Sequence, residues 1–398
     1  MIGTKKSLQA MERNYNLKGG EKIMKLLFAS DSFKGSLTSE QTIELLSKAA
    51  KEVLGECETR GLSVADGGEG TTEAVVKARN GELIKVSVHG PLGEIVNAFY
   101  GKLSEKEAIL EMAAASGLPL VPMEKRNPLK TSTYGTGELV MAALEAGARD
   151  ISIAIGGSAT NDGGLGFASA LGVKFYDKNG ALLEGRGEDL ERVHHIDVSG
   201  IRPAVKAAHF TVMCDVTNPL CGTNGATFTF GAQKGATKEM LERLEKGMEN
   251  YRDVIIREFG VNPDDYEGTG AAGGLGTALK VFFDAEMKPG IETVLDIIGF
   301  DDQLDGIDFV VTGEGCTDWQ SCFGKVMQGV GDRAKKCKIP VYALCGSLGR
   351  DYEKIYEHGI TSIMTTVDSP MSLDAALANA EELYYKAAVR MFRFINGA

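Results

Sequence analysis

One stretch restricts this chain more than any other: Gly156 to Gly166, which reads Gly-Gly-Ser-Ala-Thr-Asn-Asp-Gly-Gly-Leu-Gly. The apolar run Ile151–Ile155 before it predicts a buried strand, and Phe167–Val173 after it predicts the start of a helix. A strand, a glycine-rich loop and a helix can form an anion cradle. Glycines let backbone approach a ligand, and a helix N-terminus presents unpaired N–H groups. Gly156, Gly157, Gly163 and Gly164 are the candidate backbone donors, with Ser158, Thr160 and Asn161 as side-chain donors. Asp162 lies in the same loop. A carboxylate there repels phosphate unless a Mg²⁺ lies between them or the acid takes a proton from a substrate. The alternative is a tight turn with Asp162 as a helix cap, although five glycines exceed what capping requires.

The same design recurs along the chain. Lys25–Ala29 predicts a strand, and Ser39–Leu54 a helix capped by Thr38 or Ser39. Between them, Lys34 is placed to hold a phosphate or a substrate carboxylate, or is simply a solvated loop lysine. Gly61–Ala65 predicts a second strand, delivering Asp66 and Glu69 as candidates for Mg²⁺, for a substrate hydroxyl, or for helix N-terminal charge alone. Phe210–Asp215 and Phe309–Thr312 also end in acids, Asp215 and Glu314, with Asp318 soon after. Gly324-Lys325 opens a helix through Lys336, Val341–Leu344 and Ile360–Val367 predict strands, and Leu373–Phe394 predicts one long closing helix. The stretch Gly268–Gly273 matches G-x-G-x-x-G, but no strand pattern precedes it, so it reads as a second glycine cradle or a close-packed loop.

The first and last thirds alternate strand and helix, as a parallel sheet requires, whereas Leu83–Leu103 has a β-hairpin pattern. The expected architecture is therefore two-domain α/β. A Rossmann-like parallel-sheet domain uses both chain ends, residues 24–82 and 291–398, and a second α/β domain, 83–290, is inserted. Residues 1–23 are expected to form a disordered extension, and the ligand site to lie between the domains. A net charge of -12 argues against nucleic acid as a partner. Seven cysteines without a Cys-x-x-Cys pair indicate reduced thiols in a cytoplasmic protein, and no apolar run is long enough to span a membrane. His194 and His195 are adjacent and do not share a face, so they do not read as metal ligands.

Five segments occur in order: Asp31-Ser32-Phe33-Lys34-Gly35-Ser36, Asp66-Gly67-Gly68-Glu69-Gly70, Gly156 to Gly164, Cys214-Asp215-Val216-Thr217-Asn218-Pro219-Leu220, and Thr312-Gly313-Glu314-Gly315. Together they make the chain resemble the bacterial glycerate kinase family from about Lys25 to the last helix. The resemblance implies phosphorylation of D-glycerate with ATP and Mg²⁺, usually at the 2-position, in a cleft between two α/β domains. On that reading Asp162 or Asp66 orients or deprotonates the acceptor hydroxyl, and Lys34 holds the substrate carboxylate or the transferred phosphate. Asp215, Glu314 and Asp318 are the pool for Mg²⁺, and backbone N–H groups of Gly156–Gly164 cradle the nucleotide phosphates. No G-x-x-x-x-G-K-[ST] loop is present, so this is not a P-loop kinase. Where the family tends to have arginine after Thr-Gly-Glu-Gly, this chain has Cys316, which cannot grip an anion bidentately. A kinase of a related hydroxy acid, a sugar-phosphate or nucleotide sensor, and a dinucleotide oxidoreductase are the alternatives. A homodimer is compatible with the sequence.

Overall fold

Leu26, Leu27 and Phe28 are all fully buried, although adjacent residues of a strand face opposite ways. A strand buried on both faces belongs in a sheet covered on both sides. The computed structural model describes residues 23–397, so the expected extension, Ile23 apart, lies outside the described residues. In chain order the strands are β1 (Met24–Phe28), β2 (Cys57–Gly61), β3 (Glu82–His89), β4 (Ile95–Lys102), β5 (Glu107–Glu111), β6 (Asp150–Ala154), β7 (Lys174–Tyr176), β8 (His195–Asp197), β9 (His209–Met213), β10 (Glu286–Lys288), β11 (Phe309–Thr317), β12 (Val341–Leu348) and β13 (Ile360–Thr365).

Five of these form one sheet in the order β13-β12-β11-β1-β2, and every neighbouring pair in it is parallel. The chain leaves β1 toward β2 on one side, and leaves β11 toward β12 and β13 on the other. The loops after β1 and β11 therefore diverge, which opens a crevice at the carboxyl ends of the strands. A second sheet runs β10-β9-β6-β5-β4-β3. Its β3–β4 hairpin pairs Glu82 with Lys102 through to His89 with Ile95. A left-handed Gly93 in the connecting turn supplies a conformation that disfavours a side chain. β5, β6, β9 and β10 are parallel, and β7 and β8 form a small antiparallel ladder.

The two sheets share apolar packing. One buried cluster contains Leu27, Val310 and Val341 from the first sheet and Ile109, Ala154 and Met213 from the second. Helices Thr71–Ala78, Gly290–Ile297 and Val326–Lys336 join it through Val75, Val76, Ile291, Val294, Val326 and Val330. Helix Thr71–Ala78 packs on β4 and β5, so it lies with the second sheet although it precedes residue 83.

Two expectations shift. The second strand is Cys57–Gly61, an edge strand of intermediate burial, rather than Gly61–Ala65. Val64 and Ala65 are buried by packing, which made their segment look like a strand. The closing helix is two helices, Leu373–Ala378 and Ala380–Asn396. At their junction the side chain of Asn379 donates to the Ala375 carbonyl. All seven cysteines are free thiols, and no helix among the described residues is long and apolar enough to cross a membrane.

The sheets also meet backbone to backbone. A methyl added at Gly290 would lie 2.1 Å from the Asp66 carbonyl oxygen. Gly290→Ala is therefore expected to cost about 1–3 kcal/mol by overpacking, read as a lowered midpoint in urea unfolding. An unchanged midpoint would show that this junction yields freely.

Candidate active site

The crevice gathers acids from separate strand ends. Asp31 follows β1, Asp66 follows β2, and Glu314 lies within β11. Lys325, the residue before helix Val326–Lys336, donates from Nζ to Asp66 Oδ2 at 2.6 Å. Gly324 just before it has φ +72°, and a methyl there would lie 2.9 Å from Asp215 Oδ1. That glycine lets Asp215, which follows β9 of the second sheet, pack close to Lys325. Asp215 is held by the Gly290 N–H at 2.8 Å.

Four carboxylates thus surround one ammonium group, and Asp31, Asp215 and Glu314 are each raised above the ordinary carboxylate value. Burial, then the charge of Asp66, pushes Asp31 up to about 6, against the Ser32 N–H, Lys34 and Lys325. Burial pushes Glu314 up to about 7, with Asp31 adding to the effect and hydrogen bonds from Ser321 and Thr317 opposing it. Asp215 is raised by burial, then by Asp66, against the Gly290 N–H and Lys325. Burial alone would lower Lys325, but its bond to Asp66 and the charges of Asp66, Asp31 and Asp215 raise it. Asp318 caps the turn Trp319–Cys322, with Oδ1 accepting from Gln320 N. Its own N–H is accepted by Ser321 Oγ, which in turn donates to Glu314. Asp318 therefore reaches Glu314 through Ser321.

The crevice opens into a cavity of about 890 Å³ whose charged end carries Asp31, Lys34, Asp66, Glu314 and Lys325. A smaller cavity of about 420 Å³ lies toward β2 and shares the Asp31–Leu37 wall. Lys34 is exposed, borders both, and makes no ion pair among the described residues.

The glycine-rich loop lies elsewhere. Thr160, Asn161 and Asp162 are fully buried, and Ser158, Gly163 and Gly164 are buried too. The Asp162 carboxylate accepts from Thr133 N at 2.7 Å, Thr133 Oγ1 at 2.8 Å, Gly164 N at 3.1 Å and Gly166 N at 3.3 Å. It has no exposed atom to offer a substrate; burial raises its pKa and those donors oppose the rise. What approaches the glycines is protein backbone. A methyl at Gly273 would lie 2.1 Å from Thr160 O, and one at Gly274 2.8 Å from Gly163 Cα. Gly163 N donates to Gly273 O. The second glycine loop, Gly268–Gly276, is thus the packing partner of the first. Lys234, fully buried and lowered to about 7 by burial against the pull of Asp162, donates to Thr160 O. Only Gly156 and Gly157 are exposed, and Gly156 faces Gly67 next to Asp66.

Of the expected site residues, the structure brings together Asp66, Lys34, Glu314 and Asp215, leaves Asp318 one residue behind, and withdraws Asp162 with the second half of its loop. Asp31 and Lys325 join the site. Their signals were a strand-end acid, like Asp66, and a lysine opening the helix Val326–Lys336. Among the described residues no group of three or more His, Cys, Asp or Glu side chains is arranged to hold a metal ion. Asp215, Glu314 and Asp318 do not form a metal cage by themselves.

Comparison with known proteins bears on this geometry. The glycerate kinase family model matches residues 26–396. A glycerate kinase of Bacillus subtilis (strain 168) is 44% identical over 366 residues, covering 92% of this chain and 96% of the relative. A glycerate 2-kinase of Escherichia coli (strain K12) is also 44% identical over 366 residues, with the same coverage. The crystal structure of a candidate glycerate kinase 2 from Salmonella typhimurium LT2 superposes with a TM-score of 0.86 at 42% identity, covering 94% of this chain and 99% of that one.

Replacing Asp162 by alanine would orphan four buried donors. Thermal and chemical unfolding of Asp162→Ala is expected to show a loss of about 3 kcal/mol. A variant as stable as the parent would mean that these donors find other partners.

Proposed function

The chain belongs to the glycerate kinase family, and from that premise we propose that the crevice between β1 and β11 is where ATP gives its γ-phosphoryl group to D-glycerate. The reading rests on one observation above all: Lys325 set among Asp31, Asp66, Asp215 and Glu314 at the mouth of a nucleotide-sized cavity. Phosphoryl transfer asks a protein for positioning, charge neutralisation and an in-line acceptor; Lys325 and Lys34 bear on the charge, and the strand-end acids on orienting the acceptor hydroxyl. The 2-hydroxyl is favoured as acceptor, in keeping with the name of the Escherichia coli relative.

Asp31 is the best-placed base. One of its oxygens accepts from Ser32 N, and its pKa near 6 lets it be ionised at neutral pH and still take a proton from the acceptor hydroxyl. Asp66 holds Lys325, whose ammonium group faces the transferring phosphoryl. Lys34 is free to take the glycerate carboxylate or the same phosphate. Glu314 suits a Mg²⁺ shared with the nucleotide phosphates, since burial beside Asp31 leaves it short of positive charge, and Mg²⁺ needs only one or two carboxylates when phosphates complete its shell. Such an ion would neutralise charge on the phosphates during transfer. Asp318 and Ser321 orient Glu314, and Asp215 is a further carboxylate whose charge reaches Lys325. Gly156 and Gly157 are the part of the glycine loop still open to a ligand. Cys316 lines the cavity at the position where the family tends to have arginine, so anion binding there falls to the two lysines. The two sheets act as the two lobes of the cleft, and the free thiols support a cytoplasmic setting.

The test is an assay of ADP release with Mg-ATP and D-glycerate, with phosphorus NMR separating the 2- from the 3-phosphate. Asp31→Asn is expected to lower kcat about 10²–10⁴-fold. In the parent enzyme kcat/KM should fall as pH drops through about 6, because protonated Asp31 cannot accept the hydroxyl proton. A flat profile between pH 5 and 8 would take the base role away from Asp31.

A further inference from the structure

The far end of the large cavity has a different chemistry from its mouth. It is lined by Leu348, Val367, Met371, Leu373, Ala376 and Leu377. Three of these are exposed large apolar side chains, Leu348 at 38%, Leu377 at 38% and Leu373 at 73%. Apolar surface concentrated in a concave site next to a charged cluster is the usual make-up of a pocket for a flat organic group. The strand register supplies the span. Glu314 pairs with Cys345 on β12, and Cys345 pairs with Thr365 on β13. Two inter-strand steps carry the cavity roughly 10 Å sideways from the acid cluster, toward the short helix Leu373–Ala378 that borders it.

We infer that this apolar end holds the nucleobase of the phosphoryl donor and that it selects poorly between purines. The inference rests on the kinase reading above and extends it to the donor. The polar side chains at this end are hydroxyls: Ser347, Thr365, Thr366 and Ser372. Thr365 Oγ1 donates to the Val367 carbonyl and Ser372 Oγ accepts from Ala375 N, whereas the hydroxyls of Ser347 and Thr366 can each donate or accept, so they suit the edge of adenine and the edge of guanine alike. Among the described residues no Asp, Glu, Asn, Gln, Lys or Arg lines this end. Strong rejection of an analogue comes from fixed donors or acceptors left unpaired by the wrong ligand, and side chains of that kind are missing here. Burial of the base against leucine, valine and methionine then supplies binding for either purine.

The experiment compares ATP and GTP as donors to D-glycerate with the full-length enzyme, and follows ADP and GDP binding by calorimetry. The kcat/KM values, and separately the Kd values, should agree within about tenfold for the two purines; a larger preference in both overturns the inference. Ala376→Phe, on the half-buried face of the short helix, should raise the KM for nucleotide more than tenfold and leave the KM for glycerate within twofold. An unchanged nucleotide KM, or a rise in the glycerate KM instead, places the base elsewhere. Should Ala376→Phe fold poorly, Leu377→Glu at an exposed position reads the same pocket. Absence of turnover with either donor, with ADP and GDP still binding equally, would fail the kinase reading and leave the base site standing.

Discussion

The active crevice depends on the ion pair between Lys325 and Asp66. It fastens the loop after β2 to the start of the helix after β11, two segments far apart in sequence that flank the β1 loop. More importantly, it puts one fixed positive charge among carboxylates that would otherwise repel one another. Burial and Asp66 lift the pKa of Asp31, burial and Asp31 lift that of Glu314, and Lys325 opposes the rise at both and at Asp215. A partly buried pair of this kind contributes little net stability, since desolvation cancels much of the attraction. Its value is positional: the Lys325 side chain is held from one side, which pre-organises its charge in the crevice.

The glycine-rich loops show a different use of the same residue. Gly163, Gly164, Gly273 and Gly274 all have positive φ, and they bring the two loops so close that no side chain would fit between them. Behind them Asp162 gathers N–H groups from two segments, and Lys234 reaches the Thr160 carbonyl. The result is a rigid polar knot inside the second lobe. It carries the exposed pair Gly156–Gly157 to the edge of the crevice, and so serves the site by support.

Much of this was legible in the chain. The alternation of apolar runs with helical periods at both ends identified the parallel sheet, and alternating residues around Gly90–Gly93 identified the hairpin. Acids at strand ends pointed to Asp66, Glu314 and Asp215, which the fold gathers in one crevice, because carboxyl ends of parallel strands converge on one edge whatever else the chain does. The role of Asp162 was not legible. A glycine-rich turn says that something approaches closely, and whether it is phosphate or backbone depends on a partner such as Gly273, more than a hundred residues away. Burial likewise misled at Gly61–Ala65: Val64 is as buried as a strand residue but packs as a loop, whereas the true edge strand Cys57–Gly61 carries charged side chains. The break at Asn379 was hidden for a similar reason, since the residues on each side of it are good helix formers.

The charge of the crevice bears on what it can hold. Four carboxylates face two ammonium groups, so the site carries excess negative charge at a pH where all are ionised. Both glycerate and a nucleoside triphosphate are anions. The protein's own answer is to hold protons on Asp31 and Glu314 more tightly than isolated carboxyls would, and a proton there must leave, or a cation must enter, before a base can act. The apolar end of the cavity has no such conflict. It can hold a neutral base ring without reference to protonation, which anchors the donor while the charged end is rebalanced. Separating uncharged anchoring from charged chemistry along one cavity lets a crowded acidic site accept an anionic substrate, and the five-stranded sheet provides that separation by spacing β1, β11, β12 and β13 side by side.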